Sequence, residues 1–198
     1  MTRALIRFFD FVFSLAGLLI LLPLFLIISV FIVSGSRGGI FFFQQRVGKD
    51  GVDFRLWKFR TMYADAEKHG QITVGTNDGR ITRAGRFLRK YKLDELPQLV
   101  NVLLGEMSLV GPRPEVRSYV ELYTAEQKAV LKVRPGITDY ASIEYADENE
   151  LLARSTDPLK TYVEEIMPAK IRLNMKYIDD PSLKNYFRII FLTLKKIF

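Results

Sequence analysis

The sequence contains no cysteine and a single histidine, His69. Without cysteine there is no disulfide, no cysteine-ligated zinc and no thiol nucleophile. One histidine cannot build a multi-histidine metal site, and an unpartnered histidine is more often structural than catalytic. We therefore interpret His69 as a surface residue and look for chemistry among carboxylates and basic side chains.

Charge is also missing from one long stretch, since no Asp, Glu, Lys or Arg falls between Asp10 and Arg37. The run 11–33, FVFSLAGLLILLPLFLIISVFIV, is mostly apolar, and a helix needs about 20 such residues to cross a bilayer. A signal peptide has a shorter apolar region, roughly 7–15 residues. Residues 1–36 are therefore predicted to be embedded in a membrane.

Two features of this segment bear on its topology. Pro23 lies near its middle, where proline removes a backbone hydrogen bond and kinks a helix. Basic residues flank it on both sides, and basic flanks favour the cytoplasmic face. They are Arg3, Arg7, Arg37, Arg46 and Lys49. A kinked helix that spans once is one interpretation; we favour a re-entrant hairpin that breaks at Pro23, with 37–198 in the cytoplasm.

The rest of the sequence predicts a single compact α/β domain, rich in helix. Asp50-Gly51 is a turn signal, and Val52, Phe54 and Leu56 alternate with polar residues, so we expect a β-hairpin within 40–62. Helices are predicted over 63–70, from residue 83, over 116–133 and over 153–177 with interruptions at 157–158 and 167–168. The stretch 134–144 is predicted to form a loop and then a strand.

Two further helices are predicted to be amphipathic. One follows LDELP and carries its apolar residues on one face: Leu96, Leu99, Val100, Leu103 and Leu104. The other covers the C-terminal 184–198, where apolar residues at helical spacing accompany Lys and Arg. Such a helix can lie in the membrane interface or pack on a core with its basic face solvated. The membrane segment upstream favours the interface.

A basic strip occupies 79–92, GRITRAGRFLRKYK, within a chain of net charge +7. Arginine binds phosphate bidentately, so this strip suits a pyrophosphate ligand, although a solvated or lipid-facing strip has the same pattern. Only Phe87 and Tyr91 in the strip are aromatic, which does not make the interleaved pattern of a stacking platform and argues against nucleic acid as a partner. Arg86 and Arg89 lie within the strip and are candidate phosphate ligands.

Two adjacent carboxylates, Asp94 and Glu95, follow the basic strip, with Pro97 two residues beyond. Proline fits the first turn of a helix, so the pair is predicted at or just before a helix N-terminus. There the helix dipole and nearby arginines favour an ionised carboxylate. An ionised Asp94 can act as a nucleophile towards phosphorus, and Glu95 can hold magnesium. A simple helix cap is the alternative, and from spacing alone it is favoured.

Several motifs that follow one another along the chain favour the nucleophile over the helix cap. In chain order they are QQRVGKDG, KFRTM, ITRAGRFLRKYKLDELPQLVNVLLGEMSLVGPRPE and VRPGIT. Together with the N-terminal apolar segment they resemble the bacterial sugar transferases, the small monotopic phosphoglycosyl transferase superfamily. The similarity extends to about residue 138 and is weaker beyond.

The resemblance implies an enzyme that moves a phosphosugar from a UDP-sugar to polyprenyl (undecaprenyl) phosphate and releases UMP. It implies Mg2+, a covalent phosphosugar intermediate on Asp94 and a dyad partner at Glu95. It also implies a place at the cytoplasmic face of the bacterial inner membrane, in glycoconjugate assembly. Candidate phosphate ligands by resemblance are Arg89 and Arg113, with Lys58, Arg60 and Arg134 as weaker candidates. Oligomeric state is not predicted.

The chain departs from the family pattern at two places. Leu22 stands before Pro23, where small members often have a polar residue that helps to cap the hairpin break. Residues 139–149, DYASIEYADEN, replace the usual continuation after PGIT, so the sugar cannot be carried over. Two other functions stay open: a non-catalytic module that binds anionic lipid, and a glycosyltransferase that releases UDP. The latter class commonly uses an Asp-x-Asp motif, and the sequence has none.

Overall fold

The computed structural model describes residues 2–64, 66 and 78–197. His69 and most of the helix predicted over 63–70 lie outside the described residues. Within the described part, the fold is helix-rich α/β, as predicted, with two small two-stranded sheets. The proposed boundary between a membrane segment at 1–36 and a body at 37–198 stays a prediction.

The N-terminal segment forms one long helix, α1 (Thr2–Gly35), whose residue range includes Pro23. By length and composition α1 is the one helix among the described residues that could cross a membrane. Most of its apolar side chains are exposed, but Ile6 and Asp10 near its start and Ile28 and Ile32 near its end are buried. The body of the protein therefore contacts α1 near both ends. The re-entrant hairpin stays a prediction.

The predicted β-hairpin is confirmed by β1 (Phe41–Val47) and β2 (Asp53–Phe59), which pair antiparallel. Its turn uses Asp50 and Gly51, both with positive φ, of 56° and 77°. Phe54 and Leu56 are buried as the alternation predicted, whereas Val52 is 66% exposed. Val52 lies between the turn and the first residue of β2, so it precedes the face that the strand buries.

Next come α2 (Arg83–Lys90) and α3 (Gln98–Leu104). The helix predicted after LDELP is confirmed as α3, but its apolar face is not its most buried one: Leu104 is 65% exposed, whereas Gln98 and Asn101 are almost fully buried. Asn101 accepts from the Trp57 backbone N–H at 3.0 Å and donates to the Arg55 carbonyl at 2.7 Å. These bonds fasten α3 to β2 through its polar face, so its apolar face is left for α1 and the outside.

The stretch after α3 contains β3 (Ser108–Val110), which pairs parallel with β4 (Gly136–Thr138). Glycine is required at the start of β4, because a Cβ on Gly136 would lie 2.1 Å from the nitrogen of Gly111, the residue after β3. The helix predicted over 116–133 is wrong in extent, since only α4 (Arg117–Val120) and a 3-10 turn, Gln127–Lys132, form. After β4 the chain forms a helix, α5 (Tyr140–Glu144), because Asp139 caps it by accepting from the Ser142 backbone N–H.

The C-terminal third is helical. It contains α6 (Glu148–Arg154), α7 (Pro158–Thr161), a π-helical turn (Tyr162–Ile166), α8 (Met167–Asp179) and α9 (Leu183–Ile197). The predicted interruption at 157–158 is confirmed, whereas Pro168 lies in the first turn of α8, where proline is tolerated. The predicted C-terminal helix is confirmed as α9. It buries Tyr186 and Ile189 and exposes Phe191 and Leu194.

Candidate active site

The Asp94–Glu95 pair lies in a tight turn between α2 and α3. Lys92 adopts a left-handed conformation, with φ 55° and ψ 19°, which ends the run of α2 and redirects the chain. A single 3-10 turn, Leu93–Glu95, follows, and Pro97 directly precedes α3. The predicted position just before a helix N-terminus is therefore confirmed, and the turn leaves Asp94 only 7% exposed.

Glu95 is held by two cations from other parts of the chain. Arg113, in the loop after β3, donates to both carboxylate oxygens, through Nη1 at 3.0 Å and through Nη2. Lys58, in β2, places its Nζ 3.5 Å from the Glu95 Oε1. A bidentate arginine fixes the plane of the carboxylate as well as its position. Glu95 thus connects β2, the Leu93–Glu95 turn and the loop after β3.

The electrostatics of the two carboxylates differ sharply. Burial alone would raise the pKa of Glu95, but Arg113 and Lys58 outweigh it and hold this pKa well below its ordinary value. Burial also lowers the pKa of Lys58 to about 8, against the attraction of Glu95. Glu95 is therefore a permanent anion, whereas Lys58 titrates close to physiological pH.

Asp94 has no hydrogen bond or ion pair to any described residue. Burial, and then the negative charge of Glu95, raise its pKa above the ordinary value, although Lys58 and Arg89 act in the opposite direction. The nearby cations favour the ionised form of Asp94, as expected, but burial outweighs them, so the net shift of its pKa is upward. An underpartnered carboxylate with raised basicity is a stronger nucleophile than a solvated one.

Arg89, in the basic strip, is among the cations whose charge lowers the pKa of Asp94. Its Nε donates to the Thr61 hydroxyl at 2.9 Å, and it contributes to the field at both carboxylates. Thr61 follows β2, so Arg89 is oriented by the same strand that carries Lys58. Arg89, Arg113 and Lys58 thus converge on the dyad, and their role as phosphate ligands stays a prediction.

The other three candidate phosphate ligands are engaged elsewhere. Arg86 is exposed on α2 and donates to the Ile81 carbonyl at 3.2 Å. Arg60 is buried and donates to the carbonyls of Ser36, at 2.9 Å, and Arg37, so it holds the chain that follows α1. Arg134 donates to the Gly105 carbonyl at 2.8 Å and so fixes the loop after α3. These contacts give Arg60 and Arg134 structural roles that account for their presence.

The sequence did not predict the residues that hold the loop of Arg113 in place. Arg46, in the QQRVG motif, donates to the Pro114 carbonyl at 3.0 Å and pairs with Glu115 at 3.4 Å. Asp139 accepts from the Arg113 backbone N–H at 2.8 Å. These contacts hold the GPRPE loop, and with it Arg113, in place. Arg46 and Glu115 lie inside motifs that pointed to the family, which was the available signal; Asp139 had none.

The carboxylates of the dyad are the donors available for a magnesium ion. The described residues contain no group of three or more His, Cys, Asp or Glu side chains that could hold a metal alone. Mg2+ commonly takes one or two carboxylates and fills its shell with water and substrate phosphate oxygens. Asp94 has unpartnered oxygens, and Glu95 lies beside it with one lone pair of each oxygen used by Arg113. The dyad therefore fits a magnesium ion shared with a phosphate ligand, and Mg2+ stays a prediction.

Substitutions of Glu95 and Arg113 should have strongly non-additive effects on the free energy of unfolding. Arg113→Met leaves a buried anion with only Lys58 for a partner, so we expect the free energy of unfolding in detergent to fall by about 3 kcal/mol. Glu95→Gln together with Arg113→Met should cost less than the sum of the single variants, with a coupling of at least about 1 kcal/mol.

The exposed pair Arg117–Asp53, whose side chains are 48% and 34% exposed, provides the matched control. The same cycle there should give a coupling below about 1 kcal/mol. Additive effects at Glu95 and Arg113 would show that the pair does not hold the site together.

Comparison with known proteins shows similarity to bacterial sugar transferases. The family model for bacterial sugar transferases matches residues 1–198. The chain is 36% identical, over 93% of its length and 85% of the relative, to EpsL of Bacillus subtilis (strain 168), an uncharacterized sugar transferase. It is 37% identical, over 97% of its length, to the UDP-glucose:undecaprenyl-phosphate glucose-1-phosphate transferase of Klebsiella pneumoniae.

It is also 38% identical, over 88% of its length, to the UDP-N-acetylgalactosamine-undecaprenyl-phosphate N-acetylgalactosaminephosphotransferase of Aeromonas hydrophila. The match covers only 40% of the Klebsiella protein and 39% of the Aeromonas protein. The chain thus spans about two-fifths of those two relatives. Because the family model covers every residue, the chain belongs to the bacterial sugar transferase family.

Proposed function

We propose that the protein is a phosphoglycosyl transferase that moves a sugar 1-phosphate from a UDP-sugar to undecaprenyl phosphate and releases UMP. The observation that carries the proposal is the buried, partnerless carboxylate of Asp94 among Lys58, Arg89 and Arg113. A helix cap would accept a backbone N–H, and Asp94 accepts none. The activities for which the Klebsiella and Aeromonas relatives are named support the same substrate classes.

The chemistry follows in two steps. A carboxylate oxygen of Asp94 attacks the phosphorus that carries the sugar, a P–O bond forms, and the bond to the bridging oxygen breaks to release UMP. An oxygen of undecaprenyl phosphate then attacks the same phosphorus, which frees Asp94 and yields an undecaprenyl diphosphate sugar. Each step is a displacement at phosphorus and needs no redox partner.

The surrounding residues have separable roles in this proposal. Arg89, Arg113 and Lys58 stabilise the negative charge that accumulates on the phosphate oxygens. Glu95 fixes Arg113 and Lys58 and, by its own charge, raises the basicity of Asp94. Magnesium, when bound at the dyad, supplies further neutralisation of the diphosphate.

The contacts of α1 support a re-entrant topology. Near its start, Arg7 donates to the Val102 carbonyl at 2.6 Å and Asp10 accepts from the Leu109 backbone N–H at 2.9 Å. At its end, Arg60 binds the carbonyls of residues 36 and 37. A straight helix of this length would extend about 50 Å, more than the roughly 30 Å hydrocarbon core, so a spanning α1 would separate these contacts. We infer that both ends lie on the cytoplasmic face of the inner membrane, where the body binds its substrates.

Cysteine labelling tests this topology, and the cysteine-free sequence provides the background. Thr2→Cys and Gly39→Cys place a thiol at either end of α1, where both residues are exposed. In intact spheroplasts, neither should react with a membrane-impermeant maleimide, and both should react after permeabilisation. Labelling of one position alone in intact spheroplasts would mean that α1 spans the membrane.

Product analysis tests the reaction. With Mg2+, undecaprenyl phosphate and a panel of UDP-sugars, the wild-type protein should release UMP from at least one sugar, and Asp94→Asn should reduce the rate by 1,000-fold or more, on the order expected for a lost nucleophile. Leu104→Gln, on the exposed face of α3, is the matched control and should retain UMP release. UDP as the product would indicate a glycosyltransferase. No product with the whole panel, or an active Asp94→Asn, would favour a binding module.

The pH dependence tests the role of Lys58, whose pKa is about 8. Below this pH the ammonium is charged and both pairs with Glu95 and attracts phosphate; above it, the proton and the charge are lost. We expect kcat/KM to fall about tenfold per pH unit on the alkaline side. Lys58→Arg stays charged, so its alkaline limb should move up by at least about one unit.

Lys49→Arg, on the exposed hairpin turn, is the control and should keep the wild-type limb. If Lys58→Arg and wild type show the same alkaline limb, Lys58 is not the group that titrates.

A further inference from the structure

The face of the β1–β2 hairpin that carries Lys58 also carries Gln44, a residue with no role in the chemistry described above. Directly paired residues of an antiparallel sheet share a face. Three such pairs lie on this face: Phe42–Lys58, Gln44–Leu56 and Arg46–Phe54. Gln44 therefore projects from the same face as Lys58 and Arg46, in the row between theirs.

The rows on both sides of Gln44 reach the immediate neighbours of Arg113. On one side, Lys58 Nζ lies 3.5 Å from the Oε1 of Glu95, which the Arg113 guanidinium binds. On the other side, Arg46 Nη1 donates at 3.0 Å to the carbonyl of the residue that follows Arg113. The charges of Arg113 and Glu95 also act on Arg46. Gln44 thus lies on the side of the hairpin that faces the dyad.

The side-chain amide of Gln44 is oriented by Arg46. The Nε and Nη2 of Arg46 both donate to the Gln44 Oε1, at 3.1 and 2.7 Å. A flipped amide would point its NH2 group at these two donors, so the oxygen must face Arg46. The Gln44 Nε2 makes no hydrogen bond to any described residue. Gln44 is only partly buried, and its Nε2 is not enclosed as the unpartnered amide nitrogen of Gln98 is. An oriented donor is therefore accessible to a ligand at this face.

A phosphate oxygen is the acceptor that suits this donor best. Three cations next to Gln44, namely Arg46, Lys58 and Arg113, share two carboxylates, Glu95 and Glu115. This positive surroundings favours an anionic oxygen over a neutral carbonyl such as that of a uracil ring. A hydrogen bond to an ionised acceptor is also about twice as strong as one between neutral groups.

We propose that Gln44 Nε2 donates a hydrogen bond to an oxygen of the diphosphate of the UDP-sugar, and that Arg46 is the positioning residue that orients this donor. The inference rests on the proposed function, in which the diphosphate lies between Asp94 and the cations of the site. It gives two residues of the QQRVG motif one joint role: Arg46 fixes the amide, and the amide binds the substrate.

Gln44→Glu tests the donor without removing the partner of Arg46. The carboxylate keeps an oxygen for Arg46 but puts a second oxygen where the N–H group stood, so kcat/KM for UMP release should fall about 30-fold or more, as for a lost hydrogen bond to a charged group. The thermal unfolding temperature should not fall, because Arg46 keeps its acceptor. Gln45→Glu makes the same chemical change on the opposite, exposed face. This matched control should keep kcat/KM within about twofold of wild type.

Gln44→Met removes the donor without adding a charge, and inhibition by substrate fragments then identifies the group that Gln44 binds. The inhibition constant of UDP, which has the diphosphate but no sugar, should rise about tenfold in Gln44→Met. The inhibition constant of uridine, which has no phosphate, should stay within about twofold of wild type. Gln44→Glu serves for the same comparison if Gln44→Met does not fold.

Wild-type kcat/KM and wild-type inhibition by UDP in Gln44→Met would overturn the proposal, and so would a Gln44→Glu variant as active as Gln45→Glu. Equal losses of inhibition by UDP and by uridine would also overturn it, because they would place the nucleoside against Gln44. A wild-type protein that releases no UMP from any UDP-sugar would instead overturn the proposed function itself.

Discussion

The bidentate ion pair between Arg113 and Glu95 is the interaction on which the rest of the site depends. It joins the loop after β3 to the turn before α3, and Lys58 ties the same carboxylate to β2. Burying these charges is favourable only because they satisfy one another. With Glu95 held in this way, the neighbouring Asp94 can be buried without a partner of its own, and burial together with the charge of Glu95 raises its basicity.

The same loop is supported from behind by polar residues that do not touch the dyad. Asp139 accepts from the backbone of Arg113, and Arg46 binds the loop through Pro114 and Glu115. On the other side, Asn101 fixes α3 to β2 through hydrogen bonds to backbone groups. The site is thus held by buried polar contacts between short elements, whereas the apolar face of α3 packs partly on α1 and most of α1 itself faces outwards.

Residue patterns in the sequence predicted those elements whose conformation depends mainly on neighbouring residues in the chain. The Asp50-Gly51 turn gave the hairpin, Pro97 located the dyad before α3, and the uncharged run of 11–33 lies within α1. The buried face of α3 could not be predicted, because the Leu residues around Leu104 form the stronger apolar pattern and only the neighbouring strand shows that Asn101 is needed inside. Spacing also could not separate Arg89, which reaches the dyad, from Arg86, three residues earlier on the exposed side of the same helix. The pKa of Asp94 depends on burial, which no sequence pattern reports.

The central claim is that Asp94 becomes covalently bonded to the phosphosugar. Intact mass spectrometry of the purified protein, mixed with Mg2+ and a UDP-sugar in the absence of undecaprenyl phosphate, tests it most directly. The account predicts one added sugar 1-phosphate per chain, removed when undecaprenyl phosphate is supplied and missing in Asp94→Asn. Turnover of the same UDP-sugar with no adduct under rapid quenching, or an adduct that persists in Asp94→Asn, would contradict it.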